Sequence, residues 1–218
     1  DLDNAVYWAV ESIFRNAGQV CLAGSRLFVQ AEIYDEFLSR FKAAAEALTI
    51  GDPFVAGTKF SCLASQEHFD KVASYVNSVG DFGGTVVTGG VAEDGSWMVK
   101  PTIITDLPLD APQYCQEIFG PVVVVNKFET ETEVVALAND TRYGLNAMLF
   151  TENLSRAHRV SSNLKAGTVW VNCFFIRDLR TPFGGVGDSG VGREGGNFSR
   201  EFFTEPKAVV MQINRTSS

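Results

Sequence analysis

A thiol can attack a carbonyl carbon only where the backbone holds it open and where something nearby steadies the charge that develops on oxygen. Cys21 sits in Gln19-Val20-Cys21-Leu22-Ala23-Gly24-Ser25, just beyond a helical pattern, with Gly18 before it and Gly24 after it. Glycines allow a ligand to approach the chain, and a cysteine in such a turn can aim its own N–H at an oxyanion. The competing use of a free cysteine is as a small buried hydrophobe. That is the reading for Cys62, Cys115 and Cys173.

Two further constellations can carry chemistry. In Glu117-Ile118-Phe119-Gly120-Pro121 a carboxylate and an aromatic ring stand just ahead of a β-branched run. Ligands collect at strand ends in α/β sheets, where a carboxylate can accept hydrogen bonds from ribose hydroxyls while a ring covers a flat heterocycle. A surface glutamate and a core phenylalanine fit the same letters. The run from Pro182 to Glu194 has the glycines of a phosphate loop, but no β-branched strand leads straight into it and no Lys-Ser/Thr pair closes it. Its glycines are expected to permit tight turns beneath a site. Four cysteines without a Cys-x-x-Cys pair, and two histidines, His68 and His158, argue against a metal site. Cysteines so scattered suit a reducing cytosol better than a disulfide scaffold.

These residues need a scaffold, and the periodicity supplies one. Ala5, Val6, Ala9, Val10, Ile13 and Phe14 recur at helical spacing, with Gly18 as the expected C-cap. A strand at Arg26–Gln30 precedes a helix carrying Ile33, Phe37, Phe41, Ala44 and Leu48. Ser65 is placed to cap a helix over 67–79, and a strand follows at 85–88. Residues 91–107 read as a hairpin or extended excursion turning at Asp94-Gly95. The run 121–125 has the character of a strand buried on both faces, and Thr130-Glu131-Thr132-Glu133 opens a helix. A strand at 146–150, a helix at 155–164, a strand at Thr168–Val171 and a glycine-rich loop over 172–196 complete the pattern. Repeated alternation predicts an α/β domain with a mostly parallel twisted sheet and helices on both faces.

Of the 218 residues, 26 are acidic and 18 basic, a formal charge of −8. Such a chain repels phosphate backbones and anionic lipid, so neither nucleic acid nor a membrane is an expected partner. Because it opens on Asp1 directly in a helical pattern, we expect a domain cut from a longer protein.

Five blocks, FRNAGQVCLAGSR around Cys21, EIFGPVV from Glu117, YGLNAMLFT from Tyr143, GTVWVN from Gly167 and PFGGVGDSGVGRE from Pro182, resemble the aldehyde dehydrogenase superfamily in order and spacing. The resemblance implies a catalytic domain over 1–203, a C-terminal oligomerisation strand and tail over 204–218, and a cofactor-binding half that precedes this chain. It implies that Cys21 is the nucleophile, forming a thiohemiacetal and then a thioester that water hydrolyses. By the same resemblance Glu117 binds the nicotinamide ribose of NAD, with NADP not excluded, and Phe119 lies beside the nicotinamide ring. The family's general base and its oxyanion asparagine match no residue of this chain. A cytoplasmic homo-oligomer is expected. The alternatives are a CoA-acylating or phosphorylating relative, or a non-catalytic piece with a structural role.

Where relatives commonly have lysine in PFGGxKxSG, this chain has Gly187. With Arg177-Asp178-Leu179-Arg180-Thr181 just before the motif, it resembles the branch that handles 2-hydroxymuconate and 2-aminomuconate semialdehydes in meta-cleavage breakdown of aromatic compounds. Such a substrate carries a carboxylate far from its aldehyde, which a guanidinium fork binds in a bidentate way that lysine cannot reproduce. Arg177 and Arg180 are the candidate carboxylate ligands, unless they pair with Asp178 or another surface acid. Phe183, with Phe174 and Phe175, is a candidate wall of the substrate tunnel.

Overall fold

The computed structural model describes residues 1–92 and 95–213. Helix α1 (Leu2–Phe14) begins where the Asp1 carboxylate accepts the Asn4 N–H at 3.0 Å, and it buries the six apolar residues that share its inner face. Against that face packs α2 (Tyr34–Glu46) through Phe37 and Phe41, and the Phe14 and Phe41 rings stack at 5.9 Å. Helix α3 (Gln66–Asn77) starts as predicted, with Ser65 Oγ accepting the His68 N–H at 3.2 Å.

These helices cover a four-stranded sheet of β1 (Arg26–Gln30), β2 (Thr85–Val91), β3 (Val99–Thr105) and β4 (Val122–Phe128), in the order β1-β4-β3-β2. Strand β4 pairs in parallel with both β1 and β3. Its Val122–Val125 stretch is at most 1% exposed, as a β-branched run covered on both faces must be. Strands β2 and β3 are antiparallel, the hairpin foreseen in 91–107, although its first strand begins already at Thr85. Of the expected turn pair, Asp94 lies outside the described residues. The short helix α4 (Pro112–Cys115) leads toward the Glu117 segment and β4.

After β4, Thr130 and Glu133 form a reciprocal capping box at the start of α5 (Glu131–Asn139). Then β5 (Asn146–Leu149), α6 (Leu154–Asn163) and β6 (Thr168–Val171) make a βαβ unit whose two strands pair in parallel. Helix α7 (Gly196–Phe203) follows, an element the glycine-rich pattern did not suggest. Most strand pairs are therefore parallel, but the strands form two sheets where the sequence suggested one. Each sheet has its own core. The smaller core consists of Leu22, Trp170 and Phe174, so the residue after Cys21 is anchored to β6 and the loop beyond it. Residues 204–213 are exposed and form no strand within this chain. Among the described residues no helix is long and apolar enough to cross a membrane.

Candidate active site

The turn that carries Cys21 is built by an abrupt end to α1. After Phe14 the chain passes through Asn16, Ala17 and Gly18 with φ of 53°, 55° and 68°, so three successive residues are left-handed. Gly18 is thus part of a sharp reversal that begins at the helix end. The Asn16 side-chain amide donates to the Gln19 carbonyl at 3.1 Å, and the Gln19 side-chain oxygen accepts the Ala64 N–H at 3.0 Å. The Ala23 N–H to Val20 carbonyl bond at 2.9 Å then closes a turn with Cys21 exposed at its tip. On its far side Gly24 allows Met148 and Ser12 to approach, since a Cβ there would lie 2.9 Å from both.

Gly18 also joins this turn to the second constellation. A Cβ on it would lie 2.1 Å from the Gly120 carbonyl oxygen, so only glycine lets the two backbones meet. Phe119, beside Gly120, adopts a left-handed φ of 61°, a strained state that the surroundings must impose. His68 braces the segment: its Nε2 is 2.8 Å from the Phe119 carbonyl oxygen, which can only accept, so Nε2 donates. The Lys71 ammonium holds the neighbouring Glu117 carbonyl at 3.0 Å. The Glu117 side chain is exposed, and among the described residues no side chain or backbone group bonds its carboxylate. Cys21, Glu117 and Phe119 line one cleft of ≈ 660 Å³, bounded by β1 and β5, the strands at the facing ends of the two sheets. A flat ligand with hydroxyl groups would meet a free carboxylate and a fixed ring there, so the residues present suit a dinucleotide's nicotinamide ribose.

The loop after β6 adds Asn172, Asp188 and Ser189 to the lining of this cleft, whereas Arg177, Arg180 and Phe183 are not among the residues that line it. Phe183 and Glu194 exchange backbone hydrogen bonds of 2.8 and 2.7 Å, closing the glycine-rich run into a compact flap. Its glycines make the tight turns expected. Gly187, at φ 59°, would place a Cβ 2.4 Å from the Arg142 carbonyl oxygen, so the lysine usual in relatives does not fit this backbone. Phe183 packs on the Leu22 core and Phe174 belongs to it, whereas Phe175 is 37% exposed. The Arg177 guanidinium lies over the Phe183 and Phe175 rings at 4.8 and 5.5 Å. Arg180 instead grips Asp178 with two nitrogens and holds that carboxyl below the usual range, the surface pairing that the sequence allowed for. Sequence reasoning gave no site role to Arg15 or His68. Adjacency in the chain carried no signal for either of them.

The cysteines require a correction. Cys62 and Cys115 are exposed, and only Cys173 is partly buried, with burial raising its pKa. Cys62 stands on a loop and Cys115 is the last residue of α4. The Cys115 thiol donates to the Leu109 carbonyl at 3.1 Å. Brief iodoacetamide treatment is therefore expected to modify Cys21 and Cys62 first, Cys115 more slowly and Cys173 last. Peptide mass spectrometry checks the order, and early modification of Cys173 would contradict it. Among the described residues no group of three or more His, Cys, Asp or Glu is placed to hold a metal.

The profile of the aldehyde dehydrogenase family matches residues 1–209. The chain is 49% identical to a 2-hydroxymuconic semialdehyde dehydrogenase of Pseudomonas sp. (strain CF600), a match that covers 98% of this chain and 45% of the relative. It is 42% identical to a 2-aminomuconic 6-semialdehyde dehydrogenase of Pseudomonas sp., covering 100% of this chain and 45% of that one. The NAD+ complex of aldehyde dehydrogenase from Bacillus cereus superposes with a TM-score of 0.92 at 38% identity, covering 98% of this chain and 44% of the other. The chain thus spans a little under half the length of the curated relatives it matches. With a family match over nearly its whole length, the chain belongs to the aldehyde dehydrogenase family.

Proposed function

We propose that this chain is the thiol-bearing part of an enzyme that oxidises a semialdehyde with a distal carboxylate, of the 2-hydroxymuconate type, to the corresponding acid. The observation that carries the substrate assignment is Arg177. It is an exposed guanidinium with no acidic partner among the described residues, seated on Phe183, which packs against the core that anchors Leu22 beside Cys21. The identity to semialdehyde dehydrogenases supports it.

In this reading the Cys21 thiolate attacks the aldehyde carbon, and the carbonyl oxygen, turned toward the Cys21 N–H, takes up a proton to give a thiohemiacetal. Held at Glu117 and Phe119, NAD+ would supply the hydride acceptor for that carbon; the thioester left on Cys21 is cleaved by water to the free acid and the thiol. Glu117 would hold the ribose hydroxyls and Phe119, locked by His68, would fix the plane beside the nicotinamide. The NAD+ complex of the Bacillus cereus relative supports this cofactor, with NADP left as an alternative. Arg180, held by Asp178, positions the loop that presents Arg177. The working enzyme is a cytoplasmic homo-oligomer in which the apolar tail around Val209, Val210 and Met211, exposed here, pairs with another subunit.

Arg177→Ala tests the substrate class. Loss of a charge-assisted bidentate contact costs about 1.5–3 kcal/mol, roughly 10- to 150-fold in affinity. In the enzyme that includes this chain, KM for a carboxylate-bearing semialdehyde should rise by that factor, with kcat nearly unchanged. KM for an uncharged aldehyde of equal length should stay the same. Equal losses on both would show that Arg177 only holds the loop. A free acid as product supports hydrolysis, and an acyl-CoA or acyl phosphate would favour the acyl-transferring relatives.

A further inference from the structure

The Cys21 turn is not bonded directly to the segment that carries Glu117 and Phe119. Among the described residues no hydrogen bond joins residues 16–24 to 116–120, and the bonding between β1 and β4 begins only at Ser25 and Val124. The contact of Gly18 with Gly120 keeps the two backbones from approaching further, but it cannot keep them from parting. Helix α3 supplies the missing tie. At its entry the Ala64 N–H donates to the Gln19 side-chain oxygen at 3.0 Å, and Gln19, two residues before Cys21, is in turn held at its carbonyl by Asn16 at 3.1 Å. Further along, His68 Nε2 donates to the Phe119 carbonyl at 2.8 Å, the Lys71 ammonium to the Glu117 carbonyl at 3.0 Å, and the Tyr75 hydroxyl to the Gln116 side-chain oxygen at 2.6 Å. Val72 fills the space beside Gly120, its nearest carbon lying 2.8 Å from where a Cβ would stand. Positions 68, 71, 72 and 75 follow the spacing of one helix face, so α3 turns a whole side to this segment.

We infer that α3 is the spacer that sets the distance between Cys21 and the plane beside Phe119, with Gln19 and His68 as positioning residues for hydride transfer. The inference rests on the proposed capture of an aldehyde by Cys21 and on the placing of the nicotinamide at Glu117 and Phe119. In the transfer step the carbon–hydrogen bond of the thiohemiacetal breaks, the hydrogen leaves with the electron pair for NAD+, the hydroxyl gives its proton to water, and the carbon becomes the thioester carbonyl. Such a step requires reacting atoms about 3–3.5 Å apart, and a misplacement of about 1 Å costs about 10²-fold. One reacting carbon is carried by the Cys21 sulfur and the opposing plane is set by Phe119, so the separation of two loops decides the rate. Both loops are strained, with Asn16 and Ala17 left-handed at φ 53° and 55° and Phe119 at φ 61°. A strained segment relaxes unless it is tied, and relaxation of either loop would carry its reacting partner away. From His68 to Tyr75 there is about 10 Å of hydrogen-bonded helix, stiff enough to hold residues 116–119 as one body. Gly18 against Gly120 is thus the stop, and α3 is the tie.

The test uses the enzyme that includes this chain, well below the Tm of each variant, and a semialdehyde carrying deuterium on its aldehyde carbon. In a single turnover His68→Leu should slow NADH formation by about 10- to 100-fold. The deuterated aldehyde should then lag behind the ordinary one by a larger factor than in the wild type, because hydride transfer has become limiting. His68→Gln, whose amide still donates, should recover most of the rate. Gln19→Leu removes the acceptor of the Ala64 N–H and should slow the same step, and Gln19→Glu, which keeps that acceptor, should restore it. Two further readouts do not depend on turnover. Amide hydrogen exchange at residues 116–120 should quicken in His68→Leu and return toward the wild-type rate in His68→Gln. The aldehyde concentration that halves Cys21 alkylation by iodoacetamide, measured without NAD+, should be the same in both His68 variants as in the wild type. If His68→Leu lowers Tm but transfers hydride at the wild-type rate, or if capture and transfer fall together, α3 only supports the fold; the spacer is then wrong and the reading of Cys21 stands. An unchanged transfer rate in Gln19→Leu would likewise overturn it, since the helix would not be tied to the thiol. If aldehyde fails to protect Cys21 in the wild type, or its deuterium does not pass to NAD+, the underlying reading fails together with the spacer.

Discussion

Cys21→Ala is expected to lower aldehyde oxidation by about 10⁴-fold or more in the enzyme that contains this chain, because a nucleophile acts as a unit with the groups around it. No other thiol can replace it. Cys173 lies in the smaller core's margin with a raised pKa, Cys62 is not among the residues lining the cleft shared by Cys21, Glu117 and Phe119, and Cys115, which does border that cleft, has its thiol bonded to the Leu109 carbonyl. The fold should be untouched, since the Cys21 side chain is exposed and only its backbone participates in the turn. Steady-state NADH formation with a semialdehyde measures the loss, and thermal unfolding provides the control. Residual turnover within tenfold of wild type would remove Cys21 from the mechanism.

The second large effect belongs to a residue with no side chain. Gly18→Ala would place a methyl carbon 2.1 Å from the Gly120 carbonyl oxygen, 2.4 Å from its carbon and 2.9 Å from the Pro121 nitrogen, at a φ of 68°. All three obstacles are backbone, so no side-chain rotation can relieve the clash. The expected destabilisation is about 3 kcal/mol or more, combining left-handed strain with overpacking. For a domain of this size that lowers Tm by roughly 6–12 °C. Gly57→Ala isolates the strain, because Gly57 has φ 91° but nothing within 4 Å of its missing Cβ. It should cost only about 1 kcal/mol. Because Gly18 joins the Cys21 turn to the Phe119 segment, the variant should also lose aldehyde capture at temperatures where it remains folded. Equal Tm losses for the two glycines would contradict this account of the joint.

How much of this was legible in the sequence depends on the distance over which each cause acts. Helix faces, the Ser65 and Thr130 caps and the buried run at Val122–Val125 rest on chemistry within about four residues of themselves, and all appear as read. The five motif blocks carried the family with them, because residues that share a chemistry are constrained one by one. The division of the strands into two sheets was not legible. Strand pairing is chosen by partners far away in the chain, and alternation of strand and helix is the same for one sheet or two. Exposure at Cys62 and Cys115 was missed for a similar reason, since residue type sets a tendency to be buried and neighbours in space decide the outcome. Gly18 read as the C-cap of the first helix, but that helix ends at Phe14 with Arg15 as its C-cap, and Gly18 closes the turn that follows. Only the tertiary structure shows that it must be glycine because Gly120, some hundred residues later, lies against it. Arg15 and Arg177 illustrate the same limit for function. Each was visible as a charge, but a shared ring at Phe175 exists only once the turn after α1 and the loop after β6 have been brought together.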